Sequence, residues 1–320
     1  GIFSTFNADM ISDSEFLAGG FPATYGGRLS SVLNVTAREG DSRNGRIHEN
    51  NFIKEYLDFS KGSADISLLS TKVMAEGPLY NGSWMFSARR TYFDKFVDLY
   101  YDYYKDEITP SNYYFWDTHL KAKTSLNPNN QLIYSQFSGK DDLYLTFGGD
   151  GFPEINFNWN WGNKTNSLNW KFIPNYNYIV NTSISKTKYD FNVDFGVDFS
   201  TQTVNTDSSE IVAEDDAPDL TVKIDNVVQD IDLKQNIKYI YSDNLTIDAG
   251  WQLKYLNLNF NRNFIGQVFE LGSEPEIKSL FITSTWHPFP LLYFNSGYRI
   301  SKYNKYENLL IDPRVGVKLN

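Results

Sequence analysis

Cysteine is absent from the 320 residues, and histidine occurs only at His48, His119 and His287. Without cysteine there is no disulfide framework, no thiolate metal site and no cysteine nucleophile. The histidines are far apart and none stands in an H-E-x-x-H spacing, so no metal site is expected. Neither a G-x-S-x-G turn nor a P-loop occurs, so no enzyme and no cofactor is expected. Nor is there an uninterrupted apolar run of about 18 residues, which excludes a transmembrane helix. Basic residues are also short, with 29 Lys and Arg against 39 Asp and Glu for a net charge of −10. A chain so charged lacks the basic surface that sequence-independent nucleic-acid binding needs. The chain begins with Gly1 and shows no signal peptide, and it is expected to be an internal segment of a longer protein.

Aromatic residues make up 17% of the chain, with 22 Tyr and 24 Phe. They fall in alternation. Residues 155–161 read INFNWNW, with Ile155, Phe157, Trp159 and Trp161 on one parity and asparagines on the other. Ile231, Leu233, Ile237 and Tyr239 oppose Asp230, Asp232, Lys234, Asn236 and Lys238. Leu245 to Tyr255 and Tyr189 to Phe199 repeat the pattern. Successive strand side chains point to opposite faces, so each stretch predicts a strand with one apolar face. No comparable stretch sustains a 3.6-residue period, so helices are expected to be few. A mean hydropathy of −0.44 is compatible with membrane strands, because only alternate residues of a barrel strand meet lipid.

Turn chemistry divides the strands. Tight turns are predicted at GPLYNG (77–82), NPNN (127–130), IPNYN (173–177), YSDN (241–244) and HPFP (287–290), each with the Pro, Gly, Asn or Asp that hairpins use. Longer polar connections are expected near 98–112, 138–154, 200–223 and 263–276. Connections thus run short, long, short, long, the rhythm of a transmembrane barrel. Residues 176–199 predict one strand whose apolar parity switches near 185–188, from Tyr178, Val180 and Ile184 to Tyr189 onward. That switch marks a bulge or the point where the strand leaves the membrane. Roughly twelve strands would leave exposed edges unless the sheet closes as a barrel.

The first forty residues differ. Gly19–Gly20 and Gly26–Gly27 bracket Pro22 and Tyr25, and Arg28, Ser30 and Ser31 lead to a short strand ending at Arg38-Glu39-Gly40. As local chemistry this is a tight turn and a strand. It also resembles the closing segment of the plug domain of TonB-dependent outer-membrane receptors. Ala75-Glu76-Gly77-Pro78-Leu79, Asn81-Gly82-Ser83-Trp84 and Ser87-Ala88-Arg89-Arg90-Thr91-Tyr92 resemble the first barrel hairpin of that family. Phe115–Asp117 with Leu120 and Lys121 resembles its next strand, and Asp312-Pro313-Arg314-Val315-Gly316 resembles a mid-barrel strand start.

The resemblance implies an all-β fold. Residues 1–42 would be the C-terminal part of a plug domain. Residues 43–320 would be the N-terminal portion of a transmembrane antiparallel β-barrel, about half of a barrel of roughly 22 strands. It further implies a bacterial outer-membrane location and active uptake of a siderophore, cobalamin or oligosaccharide. TonB, with ExbB and ExbD, would act through a region outside this chain. The alternatives are an exported β-sandwich carbohydrate-binding module and a passive porin-like channel.

Four sets of candidate residues follow. Gly19, Gly20, Tyr25, Gly26, Gly27, Arg28, Ser30 and Ser31 form the plug-closing motif. Arg89 is a candidate lumen residue against the plug, a simple rim charge being the other reading. Tyr100, Tyr101, Tyr103 and Tyr104, in a predicted extracellular loop, are aromatics for a ligand or for the interfacial girdle. Ile155, Phe157, Trp159 and Trp161 are expected to face lipid, with the asparagines in the lumen. Asp141–Asp142 and Glu214-Asp215-Asp216 read as solvated loop charges.

Overall fold

The alternating stretches are strands almost throughout. A computed structural model describes residues 7–18, 21–27, 30–41, 61–104, 112–149, 152–198 and 220–319. At the start, β1 (Ile11–Leu17) pairs antiparallel with β2 (Val32–Ala37) as a separate two-stranded sheet. Then come β3 (Lys61–Ile66), β4 (Ser70–Leu79), β5 (Gly82–Thr91), a helix α1 (Phe93–Tyr104), β6 (Asn112–Asn127), β7 (Asn130–Gly149) and β8 (Phe152–Asn175). The chain continues with β9 (Tyr178–Asp198), β10 (Leu220–Ser242), β11 (Leu245–Phe264), β12 (Gln267–Ser273), β13 (Glu276–Phe289), β14 (Leu292–Tyr303) and β15 (Leu310–Leu319). From β3 to β15 they form one 13-stranded antiparallel sheet in sequence order, with β12 paired only to β11. This is the fold of an outer-membrane β-barrel wall, left open between β3 and β15 among the described residues.

One set of hairpin ends is tight for the reason the residues suggest. The Asn127 side chain accepts from the Asn129 amide at 3.0 Å and from Asn130 Nδ2 at 2.9 Å. Asn175 accepts from the Asn177 amide at 3.0 Å, and Ser242 Oγ from the Asn244 amide at 3.3 Å. These side chains stand in for backbone partners that a two-residue turn leaves unpaired.

The other ends depart from expectation. Residues 138–149 and 152–154 belong to strands β7 and β8 rather than to a long loop, and Asp141 and Asp142 therefore lie in a ladder. The stretch 263–276 is a tight turn at Ile265–Gly266, both at positive φ, followed by β12. Residues 93–104 are helical. Residues 199–219 lie outside the described residues, and from Leu220 the chain is strand. The strands are simply longer than a bilayer needs, about 9–11 residues when tilted, against 24 in β8 and 23 in β10.

Register assigns the faces. Antiparallel partners share a face, and Ser87↔His119, His119↔Phe137 and Phe137↔Thr165 run across β5–β8 on the face that meets Met10 and the Ala37 carbonyl of β2. This is the lumen face. On the outer face run Phe86, Leu120, Tyr134, Leu168, Ile184, Leu233, Leu253, Lys278, then, one pair nearer the tight turns, Leu280, Ile300 and Ile311. Apart from Lys278 this belt is apolar and uncovered, with Ile184 48%, Leu280 63% and Val315 73% exposed. Among the described residues no second sheet packs on it. Water would penalise such a belt, while lipid does not.

Above the belt the alternation inverts. On β8, β9 and β11 the outer face becomes Asn156, Asn158, Asn160, Asn192, Asp194, Asn257, Asn259 and Asn261, and the lumen face becomes aromatic. The β8–β9 register runs from Glu154↔Asp198 to Phe172↔Val180 without a shift. No bulge therefore lies at 185–188; the strand passes unbroken from one environment into another.

Candidate functional site

Two features occupy the lumen face. The lower one is the docking of residues 7–41 on the wall. Within the turn the Tyr25 amide donates to the Pro22 carbonyl at 3.0 Å. This leaves the carbonyls of Phe21 to Thr24 directed at the wall, where basic side chains meet them. Arg314 Nη1 donates to the Phe21 and Pro22 oxygens at 3.1 and 2.8 Å. Arg299 Nη1 donates to Ala23 and Thr24 at 3.2 and 3.4 Å, and Lys234 Nζ to Thr24 at 3.1 Å. The Ala23 amide donates to Thr283 Oγ1 at 3.1 Å. Charge-assisted bonds of this kind are stronger than neutral ones.

The cations are held apart by what lies between them. The Phe281 ring is 5.5 Å from Lys234 Nζ and 5.6 Å from the Arg299 guanidinium carbon. Gln252 accepts from Arg299 at 2.5 Å and donates to Asp232 at 2.5 Å, and Asp312 pairs with Arg314 at 2.5 Å. Gly26 lies so close that a Cβ there would come within 2.3 Å of Arg299 Nε.

The far end of the same segment meets β4–β6. Lys121 Nζ donates to the Ala37 carbonyl at 2.7 Å, Lys123 pairs with Glu39 at 2.9 Å, and Lys72 pairs with Asp9 at 2.7 Å. A Cβ on Gly40 would fall 2.0 Å from the Trp84 carbonyl oxygen. One short segment is thus anchored to β10 and β13–β15 at one end and to β4–β6 at the other, so the sheet curves around it.

The upper feature is a cleft of 410 Å³ on β6–β9, walled by Phe115, Phe137, Trp159, Trp161, Tyr189 and Phe191. Trp159 and Trp161 lie 4.8 Å apart, and Phe191 sits edge-on to Trp159 at 6.1 Å. Asp117 and Asp141 also line it. Asp117 is 2% exposed and binds Arg89 at 2.6 Å through Oδ2. Asp141 accepts from the Tyr113 hydroxyl at 2.7 Å. Burial first, then the bond to Asp141 and its charge, pushes the Tyr113 hydroxyl well above the usual tyrosine range. Burial, with Asp190 nearby, also raises Tyr189, so both remain neutral donors at physiological pH.

The lipid-facing expectation for Ile155, Phe157, Trp159 and Trp161 is corrected by this geometry. Trp161 pairs with Asp141, which pairs with Phe115, on the lumen face; Ile155, Phe157 and Trp159 share that face, and their asparagine neighbours point outward. On β8 the apolar residues of the outer face are instead Leu168 and Trp170, 45% and 39% exposed, nearer the tight turn. Arg89 is on the lumen face, with its guanidinium over Phe115 at 4.7 Å, while Arg90 turns outward to Asp94 at 2.7 Å. Tyr25 lies under Lys234 at 5.5 Å, Gly26 and Gly27 close the turn, and Ser30 and Ser31 lead into β2. Gly19, Gly20 and Arg28 lie outside the described residues, as do the side chains of Tyr100, Tyr101, Tyr103 and Tyr104, whose backbone is helical. Lys234, Arg299 and Arg314 were not singled out from sequence. The available signal was a basic residue at a lumen-parity position in each of three strands.

No family model and no curated protein matches the sequence. Among solved structures, the ferric yersiniabactin uptake receptor FyuA from Yersinia pestis is similar over 78% of this chain and 48% of its own, at 8% identity and TM-score 0.43. The chain thus spans about half the length of that receptor. The translocator domain of autotransporter NalP from Neisseria meningitidis is similar over 81% of this chain and 84% of its own, at 10% identity and TM-score 0.20. The KdgM porin in complex with disordered oligogalacturonate is similar over 60% and 98%, at 11% identity and TM-score 0.18.

Proposed function

We propose that the chain is the end of a plug and the adjoining wall of a TonB-dependent transporter in the bacterial outer membrane, with residues 1–42 as plug and 43–320 as barrel. The observation that carries this reading is the docking of Phe21–Thr24 by Lys234, Arg299 and Arg314. A segment held in a lumen by side-chain bonds to its carbonyls can be shifted by exchanging those bonds for water. A passive channel has no use for such an obstruction. In this reading a scarce or large ligand enters from the side of the long strand extensions. TonB, with ExbB and ExbD, then acts on the plug from the other side through a region outside this chain. The transport makes and breaks no covalent bond.

The test uses the full-length parent. It should float with outer membranes, resist carbonate extraction and migrate anomalously on gels unless heated. Ligand uptake should cease when TonB is deleted. Recovery of the protein in a soluble fraction, or uptake indifferent to TonB, would sink the proposal.

A further inference from the structure

The upper cleft carries polar atoms that the fold does not satisfy. Trp159 Nε1 and Asp117 Oδ1 are both buried and have no hydrogen-bond partner among the described residues. Both residues line the same cleft. One is a donor and the other an acceptor. A buried donor or acceptor left unpaired is destabilising, so a partner that satisfies both is favoured.

The chemistry of the lining narrows the partner. Flat aromatic walls favour a ring with an apolar face. Asp117 is already neutralised by Arg89, and Asp141 is engaged by the Tyr113 hydroxyl. The ammonium of Lys140 is committed to Asp142 at 3.0 Å. The lining therefore offers an anion no unengaged cation among these groups. An ammonium ligand would satisfy Asp117 but leave the indole N–H unpaired, since it accepts nothing. A hydroxyl both donates and accepts.

We infer that the cleft between β6 and β9 is a binding subsite for a neutral hydroxylated ring, a sugar residue of the transported ligand, stacked on Trp159 and Trp161 and hydrogen-bonded to Trp159 Nε1 and Asp117 Oδ1. The inference rests on the transport reading and names the substrate class for it. The subsite lies on the lumen face above the level at which Lys234, Arg299 and Arg314 hold the plug segment, so a sugar bound here would be met before the plug is reached.

The experiment is binding to the purified full-length parent in detergent, followed by tryptophan fluorescence and calorimetry. The probes are neutral glucose, galactose, xylose and N-acetylglucosamine oligomers of four to six residues, a galacturonate oligomer, choline and a ferric catecholate. At least one neutral oligomer should bind, and the galacturonate oligomer and ferric catecholate should bind at least tenfold more weakly. Trp159→Phe keeps an aromatic ring but loses the N–H together with the five-membered ring of the indole; it should weaken binding about five- to tenfold. Trp161→Ala should weaken it further. Preference for choline or the ferric catecholate, silence from every neutral oligomer, or sugar binding unchanged in Trp159→Phe and Trp161→Ala would overturn the inference. Uptake in the same strain, with and without TonB, separates the two claims. TonB-dependent uptake of an anionic ligand removes the sugar subsite alone, whereas sugar binding with TonB-independent uptake removes the transport reading alone.

Discussion

The lower and upper halves of β8–β11 have the same secondary structure, the same register and opposite polarity. Near the tight turns, Leu168, Ile184, Leu233 and Leu253 face outward while Ser167, Ser185 and Asp232 face the lumen. Further along the same strands, Asn158, Asn192 and Asn259 face outward while Trp159 and Phe191 face the lumen. Alternation therefore announces that a strand has one apolar face without saying which side of the sheet it is on. That sign is set by the solvent at each height: hydrocarbon outside the lower half, water outside the upper half.

The comparison can be broken most sharply by asking what each tryptophan touches. In full-length variants retaining a single tryptophan, brominated lipid should strongly quench Trp170 and leave Trp159 untouched. Quenching of Trp159 would restore the lipid-facing assignment. Next in size is the cost of a charge. Ile237→Arg, in the outer belt, should destabilise the protein in vesicles by about 2–4 kcal/mol, whereas Asn160→Arg should cost about 0.5 kcal/mol or less. Equal costs by urea unfolding would erase the boundary between the halves.

Smaller effects sharpen the account of the docked segment. Arg299→Ala removes charged hydrogen bonds to Ala23, Thr24 and Gln252 and should loosen the turn by about 1.5–3 kcal/mol. Gly26→Ala should do the same by pushing the guanidinium aside. Both should appear as faster protease cleavage near residues 21–27 with the wall still folded; wild-type cleavage rates would contradict the docking. The smallest change is expected at Lys123→Ala, whose pair with Glu39 is exposed at 24% and 49% and is worth at most about 0.5 kcal/mol. A larger loss in chemical denaturation would make that rim contact part of the anchor.

Much of the wall was legible in the residues. Asn127, Asn175 and Ser242 mark their turns because their side chains complete them. The opposite ends were less so. Residues 138–149 and 267–273 look like loops because acids, serines and glycines interrupt the apolar pattern, yet they continue the ladder. Phe93, Phe96, Val97, Tyr100, Tyr101 and Tyr104 recur at helical spacing, a signal that the surrounding acids and tyrosines obscured. The cleft was hidden for another reason: Asp117, Phe137, Trp159 and Phe191 come from four strands and meet only through register. The switch of parity within β9 was the clue that both kinds of face belonged to one strand.

The unbroken pairing of β8 with β9 has a mechanical corollary. A ladder that runs from Glu154↔Asp198 to Phe172↔Val180 without a slipped pair has no joint along it. Pulling on its upper end moves the lower end as one plank. Any displacement within the lumen has to be taken up by the pieces fastened through exchangeable side-chain bonds, with Phe21–Thr24 as the latch and the wall as its frame.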